Sequence, residues 1–539
     1  MIKYEKKESL IERQKKSEEA FLADFRKGEY VYDKPLVVLN PYLISPLTAM
    51  ILFRTSTKQE VTLTVKGKSK EGDIVHRFPA ETDHILPVYG LYGGYENTVE
   101  LSLSGGEKSE VTIKTDPLPP EVPVPTFCKP NKGHMGDNVI FLTQTSKADA
   151  LACDYAGDVR WYLTINVCFD LKRLSNGRLL VGTDRLIRLP YYVSGTYEMG
   201  VHGKIYKEYR IPGGYHHDTF ELEDGNILML TQMPDADTVE DVLALVERDT
   251  GKILRLWNYK KLLPYQCTST YSDTGTAHDW FHNNAVWYDK ATDSITLSGR
   301  HEDAVINIDF VTGDLNWIIG DPQGWPEEYV KKYFFKPVGE PFEWSYEQHG
   351  AVVCPGGDVM MFDNGHYRSK IKENYMKAKD SYSRGVRYRI NTKDMTIRQI
   401  WQFGKERGAD FFSPYICNVE YYDEGRYMVH SGGIAYKNGE PLEGLGSTDG
   451  TGSDCRLNAT YEKGELVILI LEDEEGRQHK YYVNTSAPGN FGAMCVGTFL
   501  KNDPRNIDVF INKAGLKGKM RVKLLLENKV YDSKMEIVF

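Results

Sequence analysis

The sequence predicts an all-β protein in which a six-bladed β-propeller follows a small N-terminal β-sandwich domain and a short N-terminal helix. Three observations predict this architecture. The 539 residues include 35 Tyr, 21 Phe, 8 Trp and 48 Gly, which are residue types that favour strands and tight turns over helices. A proline-rich segment divides the chain, and beyond it a pattern of paired short strands recurs.

The N-terminal part of the chain predicts a helix followed by a compact β domain. Residues 1–30 are assigned to the helix, because apolar residues recur on one face and Gly28 ends the pattern. Residues 31–115 are assigned to the β-sandwich, because they contain six short strand-like runs separated by turn residues. Five prolines within residues 116–125 predict a stiff linker, which we place at 116–127.

Residues 128–539 are assigned to the propeller, because two strand patterns recur along them. The first is a strand, a turn with Gly or Asp, and a second strand, and it occurs at residues 168–182, 217–230, 282–299, 349–362 and 417–430. The second is a turn and a strand that ends in an aromatic residue, and it occurs at Trp161, Tyr209, Trp257, Trp317 and Trp401. Two such hairpins make one four-stranded sheet, and the copies, with an irregular first sheet near 138–163, predict six sheets in a ring. Residues 486–539 are assigned to closing or accessory strands.

A run of unrelated hairpins in several sandwiches is the alternative architecture. Five matched aromatic residues favour the propeller over that alternative.

Composition and charge exclude several classes of protein. Hydrophobic residues make up 41% and charged residues 26% of the chain, as in a globular protein rather than a disordered one. A net charge of −10 argues against a nucleic-acid or anionic-membrane partner. No segment has the roughly 18 apolar residues of a membrane-spanning helix. The charged N-terminus lacks the apolar stretch of a signal peptide, so we expect a cytoplasmic location.

The eight cysteines are far apart and include no CxxC pair. They predict buried thiols rather than a zinc site or a disulfide framework.

Three histidines stand at one position of the repeat, at the start of the first strand of consecutive sheets. They are His217, His282 and His349. In a propeller this strand lines the central channel, so equivalent positions converge on the axis. A core would take Val or Ile there, and three histidines at one register position therefore indicate a functional site.

Two further residues extend this site. Arg300 follows His282 by eighteen residues, and Asn284 follows it by two. A buried guanidinium needs an anion or a carboxylate, so Arg300 either pairs with Glu302 or Asp303 or faces the histidines. In the second case the imidazoles, the guanidinium and the Asn284 amide form an anion-binding site.

Six segments between about residue 130 and residue 435 resemble those of the bacterial aryl-sulfate sulfotransferases. They are Tyr215-His-His-Asp218, Asp279-Trp-Phe-His-Asn-Asn284, Ser298-Gly-Arg-His301, Gln348-His-Gly350, Met361-Phe-Asp-Asn-Gly365 and Phe403-Gly-Lys-Glu-Arg-Gly408. These enzymes transfer a sulfuryl group directly between phenols without the nucleotide sulfate donor PAPS. The resemblance implies a six-bladed propeller behind a small β domain, an aryl sulfate donor, a phenolic acceptor and no cofactor.

The resemblance also implies roles for individual residues. His349 would be the nucleophile of a ping-pong mechanism and would form a transient sulfohistidine. His217, His282 and Arg300 would bind and neutralise the sulfuryl oxygens, and His282 would exchange a proton with the phenol.

Asn284 and His216 are the predicted substrate-binding residues. Strand alternation would send His216 to the face opposite His217, which makes His217 the more important of the two.

The sequence departs from the periplasmic members of the family at two places. It lacks the closely spaced cysteine pair that some of them carry before the nucleophile. Tyr415-Ile416-Cys417 stand where the family can supply a threonine near the site, so that contact is expected to be lost.

Two other functions fit parts of the sequence. Three histidines on one axis also suit a metal-dependent hydrolase or lyase on a propeller scaffold, although Arg300 opposes a cation there. A non-catalytic propeller that binds anions would use the same residues. The motifs favour the transferase, with no nucleic-acid or membrane partner and no metal, and they leave a homodimer open.

Overall fold

The structure is a computed structural model of the chain, and it is mostly β-sheet with few helices. It describes residues 8–136, 138–143, 150–165, 167, 169, 171–188, 191–234, 236–265, 273–274, 277–434, 436–437, 439–443, 466–475, 478–484, 494–497, 507–510, 518–526 and 529–538. No helix in these ranges is long and apolar enough to cross a membrane. Two compact units are present, one with Tyr4–Asp184 and Tyr197–Glu208, the other with Arg185–Thr196 and Tyr209–Phe539.

The first unit begins with helix α1, Leu10–Lys27. Ser9 starts the helix with a capping box, since its side chain accepts from the Glu12 amide and the Glu12 side chain accepts from the Ser9 amide. Gln14 lies on the buried face and fixes the helix to the unit. Its Nε2 donates to the carbonyl of Gly203 at 2.8 Å, and its Oε1 accepts from the amide of Ile205 at 2.9 Å.

An antiparallel five-stranded sheet follows the helix. Its strands are β1 Leu36–Leu39, β2 Ala49–Val65, β3 Ile74–Val88, β4 Glu96–Leu103 and β5 Lys108–Lys114. The order is β1-β2-β4-β5, with β3 also paired to β2. Alternate residues of β4 and β5 are buried, as a sheet with one face in the core requires.

The next segment contains helix α2 and eight short strands. Their bounds are α2 Lys132–Met135, β6 Ile140–Leu142, β7 Leu151–Cys153, β8 Val159–Tyr162, β9 Lys172–Arg173, β10 Leu179–Gly182, β11 Leu186–Arg188, β12 Tyr192–Met199 and β13 Ile205–Tyr215. Strands β6, β7 and β8 form one sheet, β9 pairs with β10, and β11 pairs with β12. Cys168, the first residue of a predicted repeat, lies outside the described residues.

Three consecutive sheets organise the second unit, and their strands pair antiparallel except for one parallel pair in the third sheet. The first has strands β14 Thr219–Glu221, β15 Ile227–Thr231, β16 Val242–Val246 and β17 Ile253–Asn258. A short hairpin, β18 Asp273–Thr274 and β19 Ala277–His278, precedes the second sheet, which has strands β20 Asn283–Asp289, β21 Ser294–Gly299, β22 Ala304–Asp309 and β23 Leu315–Gly320. Helix α3, Glu327–Tyr333, comes next. The third sheet has strands β24 Lys336–Pro337, β25 His349–Val353, β26 Val359–Asp363, β27 Arg384–Asn391 and β28 Thr396–Phe403.

The remaining strands form a four-stranded sheet and two-stranded pairs. They are β29 Asn418–Asp423, β30 Arg426–His430, β31 Tyr436–Lys437, β32 Glu440–Pro441, β33 Leu466–Asp473, β34 Gln478–Asn484, β35 Met494–Gly497, β36 Ile507–Phe510, β37 Lys519–Leu526 and β38 Lys529–Val538. The sheet has the order β34-β33-β37-β38, and the pairs are β29-β30, β31-β32 and β35-β36. Five 3₁₀ helices complete the described elements, at Lys70–Gly72, Tyr259–Lys261, Lys372–Asn374, Ala378–Asp380 and Lys405–Phe411.

Within the described ranges the sheets do not close into a ring of six, so the six-bladed propeller stays a prediction. The all-β class is confirmed. Part of the segment predicted to close the ring, 486–539, lies outside the described residues.

The sheet order places the predicted histidines at equivalent points. Strand β14 begins two residues after His217, β20 begins one residue after His282, and β25 begins at His349. Both His217 and His282 have a left-handed backbone with φ of 53°. This conformation is uncommon for residues other than Gly and clusters at functional sites. The residues at the start of these two strands are therefore candidates for a functional role.

Candidate active site

His217, His282 and His349 come together in the second unit. One nitrogen of each ring lies within 4.8 Å of the others. The ring centroids are 4.9 Å apart for His217 and His282, 6.3 Å for His282 and His349, and 6.4 Å for His217 and His349. The register inferred from the sequence therefore identified three side chains that share one site.

His349 is buried and its ring is held at Nδ1. Asn364 Oδ1 lies 2.9 Å from this nitrogen, and the carbonyl of Glu347 lies 3.2 Å from it. Both partners are acceptors at these atoms, so Nδ1 carries the proton of the neutral ring and Nε2 keeps its lone pair. Burial, together with the charge of Arg300, lowers the pKa of His349 to about 3, so the ring is neutral at physiological pH.

The Asn364 side chain has a fixed orientation. Its Nδ2 donates to the carbonyls of Ser413 at 2.8 Å and Ile416 at 3.0 Å. With both N–H groups committed to carbonyls, Oδ1 is the atom that faces His349. Asn364 thus fixes both the tautomer and the direction of the His349 ring.

Arg300 lies in the turn after β21, and its backbone amide donates to the carbonyl of His282 at 3.1 Å. Its Nη2 is 2.5 Å from Glu347 Oε2 and donates to the carbonyl of Pro414 at 3.1 Å. The carboxylate that pairs with Arg300 is therefore Glu347, and neither Glu302 nor Asp303 forms that ion pair. Burial alone would raise the pKa of Glu347, but Arg300 and His366 lower it to about 2, so the carboxyl is ionised.

One N–H of Arg300 remains available. The Nε atom is buried and makes no hydrogen bond with any described residue. A buried guanidinium N–H without an acceptor is costly, and an anionic oxygen of a bound group would satisfy it.

His282 contacts two buried carboxyl groups. Its Nδ1 lies 2.6 Å from Asp279 Oδ2 and 3.2 Å from Glu240 Oε2. Burial raises the pKa of both carboxyls well above their usual values and lowers the pKa of His282 well below its usual value, with Arg300 adding to the effect on His282. Burial of this cluster therefore favours a protonated carboxyl group beside a neutral imidazole over a carboxylate beside an imidazolium.

Glu240 also connects the cluster to two tyrosines. The hydroxyls of Tyr191 and Tyr192 donate to its Oε1 at 2.6 and 2.7 Å. Its Oε2 lies 3.5 Å from His217 Nδ1. The Tyr191 ring packs edge-on against the His217 ring, with centroids 5.5 Å apart.

His216 is fully buried and lies in the segment between β13 and β14, where strand alternation does not apply. Its Nε2 donates to the carbonyl of Thr231 at 3.2 Å, which leaves Nδ1 of the neutral ring as an acceptor. The Nδ1 of His217 lies 3.0 Å from that acceptor. His216 therefore sets the tautomer of His217, whose Nδ1 carries the proton.

Asn284 lies where the register of β20 shifts between Asn283 and Ala285. Its Nδ2 donates to the carbonyl of Gln348 at 2.8 Å, which ties β20 to the residue before His349. Its Oδ1 is buried and has no partner in the described part of the chain.

Three groups of described side chains are compact enough to enclose a metal ion. They are His217-His282-His349, His216-His217-Glu240 and Asp279-His282-His301. The guanidinium of Arg300 adjoins the first group, since Coulombic repulsion from Arg300 contributes to the lowered pKa values of all three of its histidines.

The sequence interpretation missed four polar partners of the site. Asp279, Asn364 and Glu347 lie within or beside the quoted motifs, so the polar residues of each motif would have been the signal for them. Glu240, in the segment Thr-Val-Glu-Asp, belongs to none of the quoted motifs, and only the fold brings it near the histidines.

Comparison with known proteins identifies the family of the chain. The profile of the arylsulfotransferase family (ASST) matches residues 125–476, and the profile of the arylsulfotransferase Ig-like domain matches residues 36–117. The chain is 25% identical to the arylsulfate sulfotransferase AssT of Lelliottia amnigena, over 85% of this chain and 94% of that protein. It is 24% identical to AssT of Escherichia coli O6:H1, over 82% of this chain and 91% of that protein.

Solved structures add only remote likenesses. Virginiamycin B lyase from Staphylococcus aureus is 9% identical with a TM-score of 0.30, over 66% of this chain and 88% of the lyase. Hydrazine synthase from Kuenenia stuttgartiensis is 10% identical with a TM-score of 0.29, over 66% and 76%. Such scores carry no argument for fold or function. The family profiles, in contrast, cover more than half of the chain and confirm the resemblance inferred from the motifs. The chain belongs to the arylsulfotransferase family and is an enzyme of that family.

Proposed function

We propose that the protein transfers a sulfuryl group from an aryl sulfate ester to a phenolic acceptor by a ping-pong mechanism, through a sulfohistidine at His349 and without PAPS. The observation that carries this proposal is the convergence of three neutral imidazoles beside Arg300, whose buried Nε–H has no acceptor among the described residues.

In the first half-reaction the lone pair of His349 Nε2 attacks the sulfur atom and the S–O bond to the phenol breaks. Asn364 accepts the Nδ1 proton of His349 in a hydrogen bond and directs Nε2 into the site. Sulfuryl transfer, like phosphoryl transfer, needs in-line positioning and stabilisation of charge on the equatorial oxygens. The Nε–H of Arg300 would supply that stabilisation.

The departing phenolate takes a proton from the carboxyl cluster through His282. The Asp279 carboxyl gives its proton to Nδ1 of His282 while Nε2 of the same ring gives its proton to the phenolate oxygen, so the imidazole stays neutral overall. In the second half-reaction the incoming phenol returns a proton by the same route. The phenol oxygen then attacks sulfur and the N–S bond to His349 breaks.

His217 and Glu240 act as a pair on the sulfuryl charge. When the anion enters, His217 takes up a proton from solvent at Nε2 and the Glu240 carboxyl releases one to solvent, so that His217 becomes a cation that donates from Nε2 and Glu240 becomes a carboxylate. The 3.5 Å approach of Glu240 Oε2 to His217 Nδ1 keeps the resulting ion pair together. The predicted role of His217 therefore depends on a carboxyl group.

Asn284 has a structural and a binding role in this proposal. Its Nδ2 is committed to the Gln348 carbonyl, so it holds His349 in place and does not donate to the sulfuryl group. Its Oδ1 has no described partner and faces a hydroxyl of the phenolic substrate.

The six-bladed propeller is the scaffold of this proposal. Three consecutive sheets support it, because each contains a strand that starts at or within two residues of one of the histidines. We also propose a cytoplasmic location, which the free thiols at Cys128, Cys153, Cys354 and Cys417 support, because Cys128 is exposed and would be oxidised in a disulfide-forming compartment. Fractionation of cells with an antibody to the native chain tests the location.

The test of function uses 4-nitrophenyl sulfate as donor and phenol as acceptor. Initial rates at several fixed phenol concentrations are expected to give parallel reciprocal plots, without added nucleotide. Donor alone is expected to add the mass of one sulfuryl group to the protein, and phenol is expected to remove it. Intersecting plots, or a requirement for PAPS, would contradict the proposal.

A further inference from the structure

The three site histidines share a feature that also occurs in histidines that bind metal ions. Each ring has its Nδ1 engaged by a different neighbour: Asn364 Oδ1 at 2.9 Å, His216 Nδ1 at 3.0 Å and Asp279 Oδ2 at 2.6 Å. One nitrogen of each ring also lies within 4.8 Å of the others. Histidines that bind metals have this arrangement, with one ring nitrogen on the ion and the other fixed by a carboxylate, a carbonyl or a similar group.

We propose that His217, His282 and His349 form a binding site for a divalent transition-metal ion of the Zn²⁺ or Co²⁺ type, and that this ion excludes the aryl sulfate. The Nε2 atoms are the ligands in each case. For His282 this requires that one proton leaves the His282–Asp279 pair when the ion binds, so that Nδ1 carries the remaining proton and the Asp279 carboxylate, 2.6 Å away, accepts from it. Neutral imidazole is a preferred ligand of Zn²⁺ and Co²⁺, and three imidazoles leave a fourth tetrahedral position for water.

The geometry limits the affinity. Nitrogen ligands about 2.05 Å from a tetrahedral ion are about 3.4 Å apart. The present nitrogens lie within 4.8 Å of one another, so binding draws the rings inward by up to about 1.4 Å. Because His282 and His349 are buried among packed side chains, we expect weaker binding than at a site already shaped for the ion.

The charge of Arg300 determines whether the site prefers an anion or a cation. It lies next to His301 and Glu347, and its charge acts on all three histidines. Its positive charge favours a sulfuryl anion and opposes a metal cation. The uncharged variant Arg300→Met is therefore expected to lose sulfuryl transfer and to gain metal affinity, a change of opposite sign in the two properties.

The experiment titrates Co²⁺ into EDTA-treated and dialysed protein without substrate and follows the visible absorption of tetrahedral cobalt. We expect binding to wild type and at least about tenfold tighter binding to Arg300→Met, from the loss of one nearby charge. The spectrum should disappear in His217→Ala and in His349→Ala. It should persist in His366→Ala, a control that removes a buried histidine outside the trio but beside Glu347.

A cobalt spectrum that survives His217→Ala and His349→Ala, or the lack of any spectrum in both wild type and Arg300→Met with unchanged thermal midpoints, would overturn the metal site. The inhibition, but not the binding, rests on the proposed function. With wild type, Zn²⁺ is expected to compete with 4-nitrophenyl sulfate and to be reversed by EDTA. Because cobalt binding is measured without substrate, a failed transferase assay and a failed metal site give different results.

Discussion

His282 and His349 are two buried neutral imidazoles in one site, and they differ in what contacts Nδ1. An amide oxygen, which cannot exchange a proton, contacts Nδ1 of His349. A carboxyl group with a raised pKa contacts Nδ1 of His282. The first partner can only orient its ring, whereas the second can also supply and receive a proton.

This difference assigns the two chemical tasks of the reaction. A nucleophile must present a lone pair at Nε2 when the donor binds, and the Asn364 amide ensures that for His349 by holding the ring proton at Nδ1. A proton carrier must alternate between two states, and Asp279 lets His282 do so without becoming a cation in a buried site. His282 and His349 thus have different functions because the groups that contact their Nδ1 atoms differ.

Loss of the nucleophile should have the largest effect. His349→Ala is expected to abolish sulfuryl labelling and to reduce transfer by at least about 10³-fold, because it removes the atom that bonds to sulfur in the proposed mechanism. Intact-protein mass spectrometry after incubation with 4-nitrophenyl sulfate measures the label. Persistent labelling at one site in His349→Ala would mean that His217 or His282 is the nucleophile. It would contradict the assignment of His349 as nucleophile and His282 as proton carrier.

Substitution of Arg300, the positively charged residue beside the three histidines, should have the second-largest effect. Arg300→Lys keeps the charge but loses the planar guanidinium and its Nε–H, and it is expected to lower kcat and kcat/KM together by about 10²-fold. The thermal midpoint of the same preparation separates catalysis from the ion pair with Glu347. If transfer stays near normal per folded molecule while the midpoint falls, the role of Arg300 is structural.

The partner of His282 can be changed without altering its shape. In Asp279→Asn the new amide still contacts Nδ1 of His282 but has no acidic proton to give. Transfer from phenyl sulfate is expected to fall by about 10²-fold, and transfer from 4-nitrophenyl sulfate by only a few-fold, because nitrophenolate leaves without protonation. Rates for a series of phenols measure this dependence on the leaving group.

An equal loss for good and poor leaving groups in Asp279→Asn would remove Asp279 from proton transfer. Glu240→Gln serves as the companion variant, because it changes the other carboxyl near His282 and keeps the acceptor for Tyr191 and Tyr192. If only Glu240→Gln steepens the dependence on the leaving group, Glu240 is the proton source.

The partner of His349 should give a smaller and different change. Asn364→Leu removes the acceptor at Nδ1 and allows the ring to turn, so labelling is expected to slow by about tenfold. The dependence on the leaving group should remain that of wild type, since this partner carries no proton. Presteady-state release of nitrophenol measures the labelling step. A steeper dependence in Asn364→Leu would show that the two partners are not separable.

Acidity should have the smallest effect. Because burial and Arg300 lower the pKa of His349 to about 3, the rate of labelling is expected to change by less than about twofold between pH 7.5 and pH 5.5. An inflection near 6.5, the ordinary value for histidine, would mean that His349 is exposed to water.

The folded fraction must be measured at each pH in that experiment. The lowered pKa of His349 means that the unfolded chain binds more protons than the folded chain between about 6.5 and about 3. Stability therefore falls as the pH falls through that interval.

Local sequence signals predicted the helix and the meeting of the three histidines. The helix prediction rests on apolar residues that recur on one face and on the stop at Gly28, and the register rests on the eight-residue spacing from His217 to Gly225 and from His349 to Gly357. These patterns involve residues that are close together in the chain, so a single sequence is enough to predict the helix and the repeat register.

Partners that the fold brings from elsewhere could not be predicted in this way. Glu347 pairs with Arg300 although it lies 47 positions further along the chain. Arg300 lies in a turn and not on a strand, so strand alternation does not predict its partner. His216 was assigned to one face of a strand, but residues 216–218 join two strands and their side chains follow no alternation. Burial of Glu240 depends on tertiary packing alone.

The contacts of Gln14 have a consequence for synthesis of the chain. This residue, in the first helix, is satisfied by the backbone of Gly203 and Ile205, the latter 191 positions later. At a translation rate of about 5–20 residues per second, the helix emerges about 10–40 s before these partners exist. During that interval its buried face, which includes Phe21 and Phe25, has only part of its native packing. Nascent chains that stop between these points are therefore the species in which a chaperone would meet this helix.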